Sequence, residues 1–201
     1  FIATNNYEGG RLAGNRMVEA LGGTGRVIML RNMEGSASTM KREQGFMDVM
    51  KESPGITVVS SNQYAGAGFE QAYKASENLL SRFKSPDGKL EVEGIFCPAE
   101  PVAFAMLRAL QDEDYARTVQ LIGFDASEQM AAALEKGEFD ALVLQDPINM
   151  AYLGVKTMVA YLEGKTVEKR IDTEVVLITK ENMNEPKNKA LLRPNVDKWL
   201  R

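Results

Sequence analysis

Five short aliphatic runs constrain this chain more than any other feature: RVIML (26–30), ITVVS (56–60), GIFCP (94–98), VQLIGF (119–124) and ALVLQ (141–145). Each is continuous rather than alternating, as in strands covered on both faces. Helix-length segments separate them. Residues 38–51 put Phe46, Met47 and Met50 at helical spacing behind Ser38 or Thr39 as N-cap candidates. Residues 69–83 align Ala72, Ala75, Leu79 and Leu80, and residues 101–111 align Phe104, Leu107 and Leu110. Residues 127–136 stop at Gly137, a suitable C-cap. A further helix precedes the first strand, with Asn6 as its cap, Leu12, Ala13, Met17, Ala20 and Leu21 as its face, and Gly22-Gly23 as its stop. Strands alternating with helices predict an α/β fold, a doubly wound parallel sheet with helices on both sides. The expected order of the five strands is 2-1-3-4-5.

In such a sheet, ligands sit beyond the carboxyl ends of the strands. Here those ends read RNMEGSAST, SNQYAGAG, PAEP, DAS and QDP, all small, polar and turn-forming. Asp125 closes the strand LIGF, and Arg42 shares the same expected edge. After Gln145 the pattern changes. Pro147 can open a helix that Ile148, Tyr152, Val155, Val159 and Leu162 carry to Gly164, and DTEVVLIT (172–179) reads as one more strand. One helix and one strand are too little for a separate core, so this last third is expected to pack against something the chain does not contain.

Composition excludes several chemistries. The chain has no histidine, which removes Ser-His-Asp and Cys-His nucleophiles and His-ligated zinc. The single cysteine, Cys97, rules out an internal disulfide and reads as inert packing at a strand end. A net charge of −4 gives no global attraction for nucleic acid or an anionic membrane. No apolar run approaches the ~18 residues that span a bilayer. The opening FIATNNYEGG lacks a start methionine, a basic stretch and a long apolar run, as if taken from inside a longer chain.

Two glycine-rich stretches follow strands. YAGAGFEQ lacks the third glycine and the distal acid of a dinucleotide loop. GSAST (35–39) precedes a helix and fits either an anion site or plain capping. Arg42, read as lying in the first turn of that helix, is unfavourably placed for the helix dipole. That oddity suggests a ligand role, and a solvated surface arginine is the alternative. No cofactor is expected.

The stretches EGSASTMKREQGF, IFCPAEPVAFAMLRALQ, IGFDASEQMAAALEKGEFDALVLQDP and YLGVKTMVAYLEGK together resemble the ribose-binding-like sugar-binding proteins of bacterial ABC transporters, of the type I periplasmic binding protein group. The resemblance covers nearly the whole chain. It implies two doubly wound lobes joined by three crossovers, with a sugar clamped between them. Residues 4–144 match the second lobe, and residues 145–201 match the return crossover and part of the first. Most of the first lobe and the signal peptide have no counterpart in the sequence. The resemblance further implies a sugar contact by Asp125 in GFD, a forked contact by Arg42 in KREQGF and a hinge contact by Gln145. Phe124 would flank the pocket, and Asn5 would make a polar contact at the first crossover. Ala99 stands where many relatives have a sugar-contacting asparagine, and Ala67 where some have an aromatic residue. A carboxylate accepts two hydrogen bonds and a guanidinium offers planar paired donors, which suits vicinal hydroxyls. The implied protein is a non-enzymatic, periplasmic solute-binding protein for a monosaccharide or small polyol. Its partners would be permease subunits and possibly a chemoreceptor, and neither nucleic acid nor membrane insertion is implied. Either the missing first lobe or a second copy would complete it. The effector domain of a lac-repressor-like regulator shares the architecture and is the rival reading.

Overall fold

A computed structural model describes residues 1–66 and 68–195. Ala67 and the end of the tail (196–201) lie outside the described residues.

Chain order is β1 (Ile2–Thr4), α1 (Asn6–Ala20), β2 (Gly25–Arg31), α2 (Ala37–Glu52), β3 (Ile56–Tyr64), α3 (Phe69–Ser81), β4 (Gly94–Phe96) and α4 (Glu100–Asp112). It continues with β5 (Gln120–Phe124), α5 (Glu128–Glu135), β6 (Ala141–Gln145), α6 (Pro147–Leu162), β7 (Ile171–Thr173), β8 (Val175–Thr179) and α7 (Pro186–Leu192). Six strands form one sheet in the order β3-β2-β4-β5-β6-β8, parallel except for β8. The five strands foreseen from the aliphatic runs therefore lie in the expected order.

The continuous runs are explained by the pleat, which sends successive residues to opposite faces. Val27 and Met29 of β2 join Phe96, Ile122, Phe124, Ala141 and Val143 in a core beneath α1 and α2. Ile28 and Leu30 join Ile95, Leu121, Leu142 and Leu144 in a second core beneath α3, α4 and α5. With both faces covered, the central positions of these strands are apolar on both sides. The edge strand β3 departs from this and mixes exposed with half-buried residues beyond Ile56.

The single strand expected over 172–179 is two strands. Exposed Glu174 divides them, β7 pairs in parallel with β1 in a small separate sheet, and β8 pairs antiparallel with β6. Ile178, Met183 and Leu192 are buried in the core under α3–α5. The segment beyond Gln145 therefore divides: β8 pairs with β6 in the large sheet and Leu192 of α7 packs into its core, whereas β7 pairs with β1 in the two-stranded sheet. An antiparallel edge strand on a parallel sheet is a common ending, needing only one chain reversal.

Capping also differs from expectation. Asn5, not Asn6, caps α1, accepting a hydrogen bond from the Glu8 amide at 3.2 Å. Helix α2 starts at Ala37 behind Ser36, so Ser38 and Thr39 lie inside it. Ser127 caps α5, and Gly137 follows that helix with φ +75°, as its sequence suggested.

Candidate functional site

The carboxyl ends of β5 and β6 and the crossover before α1 meet at one edge of the large sheet. Helix α2 delivers Arg42 to this edge because α1 and α2 cross unusually closely. A Cβ on Gly10 would lie 1.9 Å from the Arg42 carbonyl oxygen, and one on Gly45 would lie 2.1 Å from that of Tyr7. Only glycine allows that approach. Because α2 begins earlier than expected, Arg42 sits in its second turn, away from the unfavourable dipole end.

Arg42 is only 5% exposed. Its Nε donates to Asn6 Oδ1 at 2.8 Å, and Nη1 donates to the Pro98 carbonyl at 2.9 Å. Nη1 also lies 3.5 Å from Asp125 Oδ2. The guanidinium stacks 3.6 Å over the Phe124 ring. That geometry is cation–π and holds the planar group flat. Its second terminal nitrogen, Nη2, has no hydrogen-bond partner among the described residues. Burial pushes the Arg42 guanidinium below its ordinary range, with the Asp125 charge opposing.

Asp125 occupies the left-handed region at φ +64°, which aspartate tolerates better than most residues. Its amide donates to the Val143 carbonyl at 2.9 Å. Gln145 Nε2 donates to Asp125 Oδ1 at 2.8 Å, and Thr4 Oγ1 donates to Gln145 Oε1 at 2.7 Å. The chain Thr4–Gln145–Asp125–Arg42–Asn6 thus links the first crossover to the sheet edge. Burial raises the Asp125 carboxyl above the usual carboxylate range, while Arg42 and Gln145 pull it down.

Of the six residues singled out from sequence, Arg42, Asp125, Gln145 and Phe124 come together in this network. Ala99 is buried beside it at the N-cap of α4, next to Pro98, and contributes no side-chain polar group. Asn5 spends its side chain on capping α1 and lines two shallow depressions on the β1–β7 side. Asn6 makes the arginine contact instead. Thr4, Asn6 and the Pro98 carbonyl went unrecognised in the sequence; the neighbouring polar pair Asn5-Asn6 was the available signal, and both were read as caps or crossover contacts. Cys97 is fully buried, and burial pushes its thiol up, which fits packing rather than nucleophilic chemistry.

These features define a class: an α/β fold with a polar, hydrogen-bonded edge at the carboxyl ends of its parallel strands. Residues 1–166 match the periplasmic binding protein domain, and the chain belongs to that family. It is 29% identical to the ribose import binding protein of Haemophilus influenzae over 89% of this chain and 58% of that protein. It is 30% identical to the D-apiose import binding protein of Paraburkholderia graminis over 90% of this chain and 56% of that protein. Among solved structures, a carbohydrate transporter solute binding protein from Agrobacterium radiobacter in complex with D-arabinose superposes with a TM-score of 0.87 at 31% identity, covering 96% of this chain and 65% of that one. One from Agrobacterium vitis with bound D-fucose gives 0.87 at 30%, covering 96% and 64%. The chain spans a little over half the length of these curated relatives. They are import binding proteins, which does not favour the regulator reading. No helix among the described residues is long and apolar enough to cross a membrane.

Proposed function

We propose that this chain is the ligand-holding part of a solute-binding protein that captures a monosaccharide or related polyol outside the cytoplasm and passes it to an ABC permease, without catalysing any reaction on it. The observation that carries the reading is the free donor beside the half-free acceptor. Among the described residues Arg42 Nη2 has no hydrogen-bond partner, and Asp125 Oδ2 makes a 3.5 Å ion-pair contact to Arg42 Nη1. A donor and a carboxylate oxygen side by side match two vicinal hydroxyls, each of which both donates and accepts.

Arg42, Asp125 and Gln145 are the proposed hydrogen-bonding contacts. Phe124 supports the guanidinium from below. Ala99 brings no polar side-chain group, and Asn5 lies at the crossover, where a second lobe would meet the first. The proposed division assigns β2–β6 with their helices, together with β8 and α7, to one lobe, and β1, β7 and α6 to the other. Helix α6 supports it. None of its residues is buried, and Ile148, Tyr152, Val155, Met158, Val159, Tyr161 and Leu162 are all more than 45% exposed. An apolar stripe of that size calls for cover, and the remaining length of a full solute-binding protein would supply it. Closure of two lobes on the sugar then stabilises the closed state over the open one.

Titration of the chain with pentoses and hexoses, followed by NMR, tests the reading. Shifts centred on Arg42, Asp125 and Gln145 that vanish in Asp125→Asn are expected. Shifts elsewhere, or turnover of the sugar, would reject it.

A further inference from the structure

Thr4 ends β1 and is buried. Strand pairing fixes its place: it lies opposite Thr173 of β7, whose carbonyl accepts from the next amide, that of Asn5, at 3.2 Å. From there it holds two amide side chains. Its hydroxyl donates to Gln145 Oε1 at 2.7 Å, and its carbonyl accepts from Asn6 Nδ2 at 3.1 Å. Met150 Sδ lies 3.4 Å from the same hydroxyl, but a thioether is a weak acceptor, so the one hydroxyl proton goes to Gln145.

A side-chain amide has an accepting end and a donating end, and each neighbour suits only one of them. With Oε1 held by the Thr4 hydroxyl, Gln145 turns Nε2 to Asp125 Oδ1 at 2.8 Å. Flipped, it would set a carbonyl oxygen against a carboxylate. With Nδ2 held by the Thr4 carbonyl, Asn6 turns Oδ1 to Arg42 Nε at 2.8 Å. Flipped, it would set two donors face to face. One residue of the first crossover thus fixes the polarity of both arms, the one that reaches Asp125 and the one that reaches Arg42. The second hydrogen of Gln145 Nε2 has no partner among the described residues.

We propose that Thr4 is a positioning residue for the ligand edge: its hydroxyl holds the Gln145 amide with the nitrogen toward Asp125, so that Gln145 supports the carboxylate and keeps one hydrogen for a ligand oxygen. The proposal rests on the sugar-binding reading above and adds a residue that acts through Gln145.

The test is NMR of the chain with the Asn6, Asp125 and Gln145 side chains assigned. In the wild type, a Gln145 Nε2 proton is expected to shift with pH as the Asp125 carboxyl titrates. An amide that ignores this titration overturns the orientation without any variant. Thr4→Val keeps the shape and the strand preference and removes only the hydroxyl. It should displace the Gln145 amide signals and raise the Asp125 titration midpoint by about half a pH unit, because a hydrogen bond to the charged form is weakened. The Asn6 Nδ2 signals, held by a main-chain carbonyl, should stay in place, and Thr4→Ser should restore wild-type behaviour. A packing role at the end of β1 would move Asn6 and Gln145 together or persist in the serine variant, and either result overturns the proposal. Titration with D-ribose, D-glucose and D-galactose reads the consequence for binding. Thr4→Val should weaken each sugar that binds the wild type by about fivefold, the scale of one hydrogen bond. Unchanged affinity in a variant whose Gln145 amide has moved overturns the role of Thr4 and leaves the sugar reading standing. No shift at the site with any of the three sugars overturns both.

Discussion

Asp125 combines two demands that are seldom met by one residue. Its φ of +64° puts a side chain in the left-handed region, and its carboxylate must stay beside a buried guanidinium. Alanine fails on both counts: it costs about 1 kcal/mol or more in that conformation and leaves Arg42 without its charge partner. Asparagine keeps the backbone preference and an acceptor for Gln145. Asp125→Ala is therefore expected to lose at least about 1 kcal/mol more stability than Asp125→Asn, read from urea midpoints. Equal losses would show that the left-handed backbone contributes nothing. Glu43 offers a second check. It is 3% exposed, its Oε1 accepts a long bond from the Asn32 amide at 3.4 Å, and its Oε2 has only a 3.4 Å ion pair to Arg31. Burial raises its carboxyl above 4.5. The folded chain then binds this proton more tightly than the unfolded chain, so the stability Glu43 contributes is full below pH 4.5 and is lost as pH rises through the raised value. Glu43→Gln should accordingly gain on the wild type as pH rises above 4.5; a stability difference that stays flat with pH would sink this account. Asp125 was legible as a charged residue at a strand tip, whereas Arg42 was singled out for a helix-start conflict that the earlier start of α2 removes. Asn6 and Thr4 were not, since a polar residue before a helix also serves as a cap, and only tertiary contact decides which role it takes.

At the level of elements, the α1–α2 crossing decides where Arg42 goes. Alanine at Gly10 should gain about 1 kcal/mol from helix propensity alone. The Cβ would sit 1.9 Å from the Arg42 carbonyl oxygen, however, and rigid backbone cannot yield as a side-chain tip can. Overpacking then wins, and a loss of about 3 kcal/mol is expected, with displaced Arg42 resonances. The control lies in α6. A Cβ on Gly154 would meet nothing within 4 Å, so Gly154→Ala should raise stability by about 0.5–1 kcal/mol. Thermal denaturation of the pair settles the matter; a stable Gly10→Ala variant would mean that the helices separate without cost. Most elements could be read from the chain because period and turn residues are local. The division of 172–179 could not. EVVLIT and DTEVV look like one strand, and the switch from one sheet to the other at Glu174 depends on partners far away in sequence: Ile171 pairs with Ile2, whereas Val175 pairs with Gln145. The glycines of α1 were visible, but their use needs the facing helix, which no local pattern supplies.

For the whole molecule, the proposed function raises the question of how much binding one proposed lobe can supply. In a two-lobed clamp the sugar is buried on both sides, and water is kept from its polar contacts. On the open edge of this chain, Arg42, Asp125 and Gln145 still offer hydrogen bonds, yet water competes at each. A net hydrogen bond then contributes about 1 kcal/mol, and somewhat more where a charge takes part. Asp125 and Arg42 already satisfy part of each other, and Gln145 is held by Thr4 and Asp125, so some of that gain replaces existing bonds. Three or four such contacts, less the cost of association, leave an affinity no tighter than about millimolar. The apolar stripe of α6 likewise lies in water, and nothing in the described residues covers it. Both deficits have one remedy. Joining the chain to the first lobe of an arabinose- or ribose-type relative should bury α6 and tighten sugar binding by at least about a hundredfold, since every contact is then desolvated and a second set is added. Isothermal titration calorimetry of the 201-residue chain and of the joined protein measures both states. Micromolar binding by the 201-residue chain alone, abolished by Asp125→Ala, would place the affinity in this lobe and refute the clamp as its source.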